Sequence, residues 1–117
     1  MPAVRWGIVG TGAIADGMAG AIRAADSAAL LAVASRRIET AQDFANRHSI
    51  DSAFDSWSRM VARDGIDAVY VATPTGVREE ICLEAAAAGK HVLAEKPFAS
   101  LDSVHRIAAA CRQNSVA

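Results

Sequence analysis

The sequence predicts a doubly wound α/β fold, a parallel sheet covered by helices on both faces. Three observations point there. Short apolar runs, the form taken by strands buried on both sides, alternate along the chain with segments whose apolar residues recur at helical spacing. The loops between them are short, so neighbouring strands must be parallel and joined by right-handed helical crossovers. The first apolar run passes directly into Gly10-Thr11-Gly12-Ala13-Ile14-Ala15, a GxGxxA turn that opens a helix. The expected strand order is 3-2-1-4-5, with a sixth strand beginning, and cut short, near Val116.

Val4 to Val9 is the first strand. Ile14, Met18, Ala21, Ile22 and Ala25 mark the inward face of the first helix, which Asp26-Ser27 ends. Leu30 to Ala34 is the second strand, followed by Ser35-Arg36-Arg37, and Ile38, Ala41, Phe44, Ala45 and His48 give the next helical face. A short extended piece at Ala53-Phe54 precedes a capping pair, Asp55-Ser56, and a brief helix carrying Trp57, Met60 and Val61 that stops at Arg63-Asp64-Gly65. Ala68 to Ala72 is the fourth strand, ended by Thr73-Pro74. Val77, Ile81, Ala85 and Ala88 supply a helix that Gly89 closes. His91 to Ala94 is the fifth strand and leads into Glu95-Lys96-Pro97. Ser100 caps a last helix, with Leu101, Val104, Ile107, Ala108 and Cys111 expected to face inward.

The 117 residues are 52% hydrophobic and contain no repeat, low-complexity tract or linker, so residues 1–117 are read as a single domain. A chain of this size buries roughly two-thirds of its unfolded surface. A net charge of −1 creates no long-range field for nucleic acid or an anionic membrane, so any bound anion must be held by local groups. No apolar run reaches the roughly 18 residues of a membrane span. Met1-Pro2-Ala3 also lacks the basic and apolar regions of a signal peptide, and the expected location is the cytoplasm. Cys82 and Cys111 sit among apolar residues without CxxC or His spacing, as two buried thiols rather than a disulfide or metal site. His48, His91 and His105 have no metal-ligand spacing and are expected at helix or strand surfaces; Trp6 and Trp57 read as packing residues.

In a sheet of this kind ligands bind outside the carboxyl ends of the strands, where the strand order reverses. The glycine turn, Ser35-Arg36-Arg37, Ala72-Thr73-Pro74-Thr75 and Glu95-Lys96-Pro97 all lie on that edge. The turn has the layout of a dinucleotide-binding site: Gly10 permits the tight bend, Gly12 lets the backbone approach a pyrophosphate, and Ala15 allows close packing of helix on strand. The amides near Ala13 and Ile14 would point at the phosphates from the positive end of the helix. NAD-binding domains place a carboxylate after the second strand to accept bonds from the ribose hydroxyls, and here Ser35 and Arg36 occupy that position. A hydroxyl and a guanidinium, with Arg37 at hand, suit the 2′-phosphate of NADP; NAD is the weaker expectation.

Three segments in this order, Gly10 to Ala15, Asp67-Ala68-Val69-Tyr70-Val71-Ala72-Thr73-Pro74, and Gly89-Lys90-His91-Val92-Leu93-Ala94-Glu95-Lys96-Pro97, resemble the N-terminal half of the Gfo/Idh/MocA oxidoreductases. Within that family the likeness is to members related to glucose-fructose oxidoreductase and dihydrodiol dehydrogenase. The resemblance implies a Rossmann domain within a two-domain, homo-oligomeric enzyme that transfers hydride between NADP(H) and a small molecule, a sugar, cyclitol or related alcohol or carbonyl. It also implies that Lys96 stands beside the chemistry, donating to the reacting oxygen, with Glu95 orienting the cofactor or the lysine. After Thr73-Pro74 the family commonly shows Asn and, three residues on, His, where this chain has Thr75 and Arg78. The family's C-terminal substrate domain has no counterpart within these residues. A stand-alone module that binds or senses NADP(H) without turnover is the alternative reading.

Overall fold

The computed structural model describes residues 2–117. In chain order its elements are β1 (Val4–Val9), α1 (Ala13–Ala24), β2 (Ala28–Ala34), α2 (Ile38–His48), β3 (Ser52–Phe54), α3 (Trp57–Val61), β4 (Ala68–Val71), α4 (Thr75–Ala87), β5 (His91–Ala94) and α5 (Leu101–Gln113). The strands form one parallel sheet in the order β3-β2-β1-β4-β5, the order expected from the sequence. β2 starts two residues earlier than its apolar run, because Ala28 and Ala29 pair with Val4 and Arg5. No helix among the described residues is long and apolar enough to cross a membrane.

The chain crosses from one face of the sheet to the other after β3, and each face has its own core. On one side Ile8, Val33 and Tyr70 meet Ala15, Ala19 and Ile22 of α1 and Phe44 and Ala45 of α2. On the other, Val9, Ala32, Ala34, Val69 and Val71 meet Met60 and Val61 of α3, Ile81, Cys82, Ala85 and Ala86 of α4, and Ile107 and Cys111 of α5. Both cysteines are buried free thiols, and removal from water pushes the Cys82 thiol up to about 11. α4 ends through Gly89 at φ +79°, a left-handed position that suits a residue without Cβ.

Two helices present different faces from those their apolar spacing suggested. The buried residues of α1 are Ala15, Ala19 and Ile22, whereas Ile14, Ala21 and Ala25 are exposed. Methyl side chains at Ala15 and Ala19 let α1 lie close on β1, and close approach outweighs the larger apolar surface of Ile14. On α5, Leu101 is 70% exposed and Val104 36%, while Ser103 is buried with Ile107 and Cys111. Glu79 of α4 is held in the ionised form first by Arg106 and then by the hydroxyl of Ser103. The pairing of Glu79 with Arg106 (2.6 and 2.8 Å) then locks that rotation of α5. Ser100 caps the helix as expected, accepting from the Ser103 N–H at 3.0 Å.

The outer edge of β5 is covered in part by Ala117. The N–H groups of His91 and Glu95 reach back to β4, onto Asp67 O and Val71 O, so those of Val92 and Ala94 turn outward. Val92 donates to the carbonyl of Ala117 at 2.8 Å, and the Ala117 N–H reaches Nδ1 of His91 at 3.0 Å. His48 packs on the Phe44 ring and bonds to Asp16 at 2.7 Å, so it joins α2 to α1.

The amino end of the sheet is tied by Arg5, whose Nε and Nη2 donate to the two Asp67 oxygens at 3.0 and 2.9 Å while its backbone N–H donates to Oδ2. The Arg5 side chain, then its backbone N–H, hold the Asp67 carboxyl down at about 2, against an ordinary value of 3.8. A carboxyl depressed in the folded state stabilises that state fully above 3.8 and loses the effect as pH falls through about 2. Urea unfolding of wild type and Asp67→Asn across this interval should show the variant less stable at neutral pH and the two converging at the acid end. The difference should be small, because the pair is largely in water and screened.

Candidate active site

A cleft of about 370 Å³ opens at the carboxyl ends of β1, β2 and β4. It is lined by Val9, Gly10, Thr11, Gly12, Ala34, Ser35, Arg36, Trp57, Ala72, Thr73, Pro74, Gly76 and Val77. Adjacent parallel strands β1, β2 and β4 diverge here because their crossovers leave in opposite directions, α1 to one face and α4 to the other. The sequence-predicted residues Gly10, Thr11, Gly12, Ser35, Arg36, Ala72, Thr73 and Pro74 are therefore brought to one cavity. Ala13 and Ile14 stand exposed in the first turn of α1 at its rim. Thr75 opens α4, and Glu95 and Lys96 follow β5 alongside.

Gly10 has φ +111°, and a Cβ there would stand 2.8 Å from the carbonyl oxygen of Ala72. Both the dihedral and the contact demand glycine. Gly12 differs: a Cβ on it would meet no atom within 4 Å, so the space over the N-terminus of α1 is free for a ligand. Gly12 is also the N-cap and provides no side-chain acceptor, which leaves the first-turn amides of α1 without a protein side chain. Gly10→Ala is expected to cost on the order of 1–3 kcal/mol, the range for a side chain held in a disfavoured backbone region. Thermal unfolding followed by circular dichroism checks it, and Gly12→Ala should leave stability far less changed.

At the end of β2 the only ionisable side chain of the cleft lining is Arg36, exposed and without an ion pair among the described residues. Arg37 is turned elsewhere, 74% exposed with Nε 3.7 Å from Glu39. Ser35 Oγ lies 2.5 Å from Thr40 Oγ1, and Thr40 donates its own proton to the Arg37 carbonyl at 2.9 Å. A hydroxyl has one proton, so in this contact Ser35 donates.

On the β4 and β5 side, register places Val71 beside Ala94, and the Glu95 N–H continues the ladder to Val71 O at 2.9 Å. Lys96, one residue further, is exposed at the sheet edge. Glu95 accepts from the hydroxyl of Tyr70, a buried central-strand residue, at 2.5 Å. Burial first, and then Glu95, push the Tyr70 hydroxyl up to about 12, so it stays protonated and remains the donor. The Lys96–Pro97 peptide is cis. The Pro97 carbonyl accepts from Arg78 and, at 3.4 Å, from Thr75 Oγ1.

Two residues gain positions that their sequence context did not indicate. Trp57 lines the cleft as well as packing on the core, and it is foreshadowed only by its place just after the carboxyl end of β3. Arg78 is 5% exposed and bonds the carbonyls of Thr73 and Pro97, although an arginine in a first helical turn reads as a solvated side chain. The hydroxyl of Thr73 is buried without a partner. An orphaned hydroxyl in the lining, the free space over Gly12 and the unpaired Arg36 fit a phosphate-bearing dinucleotide.

Comparison with known proteins agrees with this geometry. The chain is 40% identical over 97 residues to scyllo-inositol 2-dehydrogenase (NADP(+)) IolU of Bacillus subtilis (strain 168), covering 83% of this chain and 30% of that protein. It is 37% identical over 117 residues to the trans-1,2-dihydrobenzene-1,2-diol dehydrogenase of Danio rerio, covering 97% and 35%. Among solved structures, KijD10, a 3-ketoreductase from Actinomadura kijaniata in complex with TDP-benzene and NADP, superposes with a TM-score of 0.92 at 33% identity, over 97% of this chain and 36% of that one. The chain thus spans about a third of the length of these relatives. The family model described as an oxidoreductase family with an NAD-binding Rossmann fold matches residues 4–117, and the chain belongs to that family, the Gfo/Idh/MocA oxidoreductases.

Proposed function

We propose that this chain is the cofactor-binding domain of an NADP(H)-dependent oxidoreductase acting on a sugar, cyclitol or related alcohol or carbonyl. The observation that carries the cofactor choice is the cleft lining, whose one ionisable side chain is the unpaired cation Arg36 and which has no carboxylate. A 2′-phosphate finds a charge-assisted donor there, and nothing in the lining repels it. Gly10, Thr11 and Gly12, with the first-turn amides at Ala13 and Ile14, would hold the pyrophosphate, and Ser35, with Arg37 in reserve, would assist Arg36. Ala72, Thr73, Pro74 and Thr75 would flank the nicotinamide half. The supporting kinship is with a dehydrogenase named for NADP(+) and a ketoreductase solved with NADP.

When bound, the nicotinamide supplies or accepts the hydride. Lys96, at the carboxyl edge next to Thr73-Pro74, would donate a hydrogen bond from Nζ to the reacting oxygen and stabilise the negative charge that develops on it. Glu95, fixed by Tyr70, would hold the backbone from which Lys96 projects. A sugar or cyclitol as substrate is supported by the relatives' names, scyllo-inositol among them. Titration with NADPH and NADH, followed by fluorescence or calorimetry, tests the cofactor assignment: tighter NADPH is expected, and equal affinities overturn it.

A further inference from the structure

We propose that Arg78 is a positioning residue for Lys96, clamping the loop that carries the lysine onto the loop that lines the cleft. This rests on the role given to Lys96 above. Arg78 stands in the first turn of α4 and is 5% exposed. Its Nη1 donates to the carbonyl of Pro97 and its Nη2 to the carbonyl of Thr73. One of those carbonyls belongs to the residue after Lys96, the other to a residue of the cleft wall. The two loops come from different strands, and the guanidinium is the group that spans them, with Thr75 Oγ1 adding a weaker bond to Pro97.

No carboxylate pairs with Arg78 among the described residues, and its Nε is buried without a partner. A buried cation without a counterion is costly, so stability alone does not account for it here; an apolar side chain of the same size would fill the space without that cost. What the guanidinium provides is a rigid planar fork that fixes the separation of two acceptors, which a lysine or a neutral amide does not do. A catalytic side chain on a sheet-edge loop needs such support, since misplacement by an ångström is enough to lose most of its effect.

The clamp is tested first by hydrogen exchange on the whole chain. In Arg78→Gln the amide of Glu95, which is bonded to Val71 O where the loop leaves β5, should exchange about tenfold faster while those of Val69 to Val71 keep their protection, the signature of local opening rather than global unfolding. In the full-length enzyme Arg78→Ala should lower kcat by about a hundredfold with the NADPH Kd little changed. Guanidinium chloride at non-denaturing concentration should restore part of that kcat, and Arg78→Lys should restore less. Unchanged exchange at Glu95, or faster exchange with full kcat, overturns the proposal. A fall in cofactor affinity that matches the fall in kcat and resists guanidinium also overturns it, since Arg78 would then be general scaffolding. A wild-type chain that binds no dinucleotide overturns the proposed function and this role with it, whereas binding with an indifferent Arg78 removes only the clamp.

Discussion

Lys96→Ala is expected to lower kcat of the full-length enzyme by about a hundredfold, the usual scale for losing a positioned proton donor, while cofactor affinity stays nearly intact. The separation of effects follows from where Lys96 stands. It lies outside the cleft that gathers Gly10 to Gly12 and Ser35-Arg36, so the adenosine and pyrophosphate contacts do not depend on it. Its proposed interaction is with the reacting oxygen and strengthens only as charge builds there, so kcat and kcat/KM should fall together. Lys96→Arg should recover only part of the loss: an arginine keeps the charge and can donate, but its longer planar fork does not put a donor where Nζ stood. Steady-state kinetics with each variant, beside calorimetric NADPH binding, makes the test. Wild-type kcat in Lys96→Ala would show an ordinary surface lysine.

The parts of this molecule readable from sequence are those set by local chemistry. Gly10 announces itself through the GxGxxA spacing, and the structure shows the cause in a positive φ and a carbonyl where Cβ would be. The strand order followed from short apolar runs joined by short helical crossovers, for which few topologies exist. Ser100 before Leu101 and Gly89 after α4 are helix-end signals that depend on a few residues each. Arg78 was not legible in this way. Its partners lie 5 and 19 residues away on two different loops, and only the assembled sheet edge brings them together. An aromatic in a brief helix packs on a sheet as a matter of course, and Trp57 does; that it also walls the cleft depends on how α3 crosses the end of β2. The rotations of α1 and α5 were hidden for a related reason. Apolar spacing reports which faces could be buried, but the choice was made by the close approach at Ala15 and Ala19 and by the Glu79–Arg106 pair.

Arg36→Asp is expected to reverse the cofactor preference. Arg36 lines the cleft as an exposed guanidinium without an ion pair among the described residues, and in the proposed function it meets the 2′-substituent of the adenosine ribose. Ser35 is a lesser donor at the outset, because its proton is directed at Thr40, and it must rotate away to serve a phosphate. Arg36 should therefore supply most of the discrimination. A charge-assisted hydrogen bond contributes about 1.5–3 kcal/mol, roughly a tenfold to a hundredfold difference in Kd. An aspartate at the same position repels the 2′-phosphate and accepts bonds from free ribose hydroxyls, so NADPH should weaken by that factor while NADH tightens. Arg37→Ala should change little, since Arg37 faces Glu39 and not the cleft. Because Arg36 is in contact with solvent, the wild-type preference for NADPH should shrink as salt is raised, and the aspartate variant's preference for NADH should shrink as well, since salt also screens its repulsion of the 2′-phosphate. Calorimetric Kd values for both cofactors at two ionic strengths measure all of this. An Arg36→Asp chain that still prefers NADPH would place the 2′-phosphate elsewhere in the cleft.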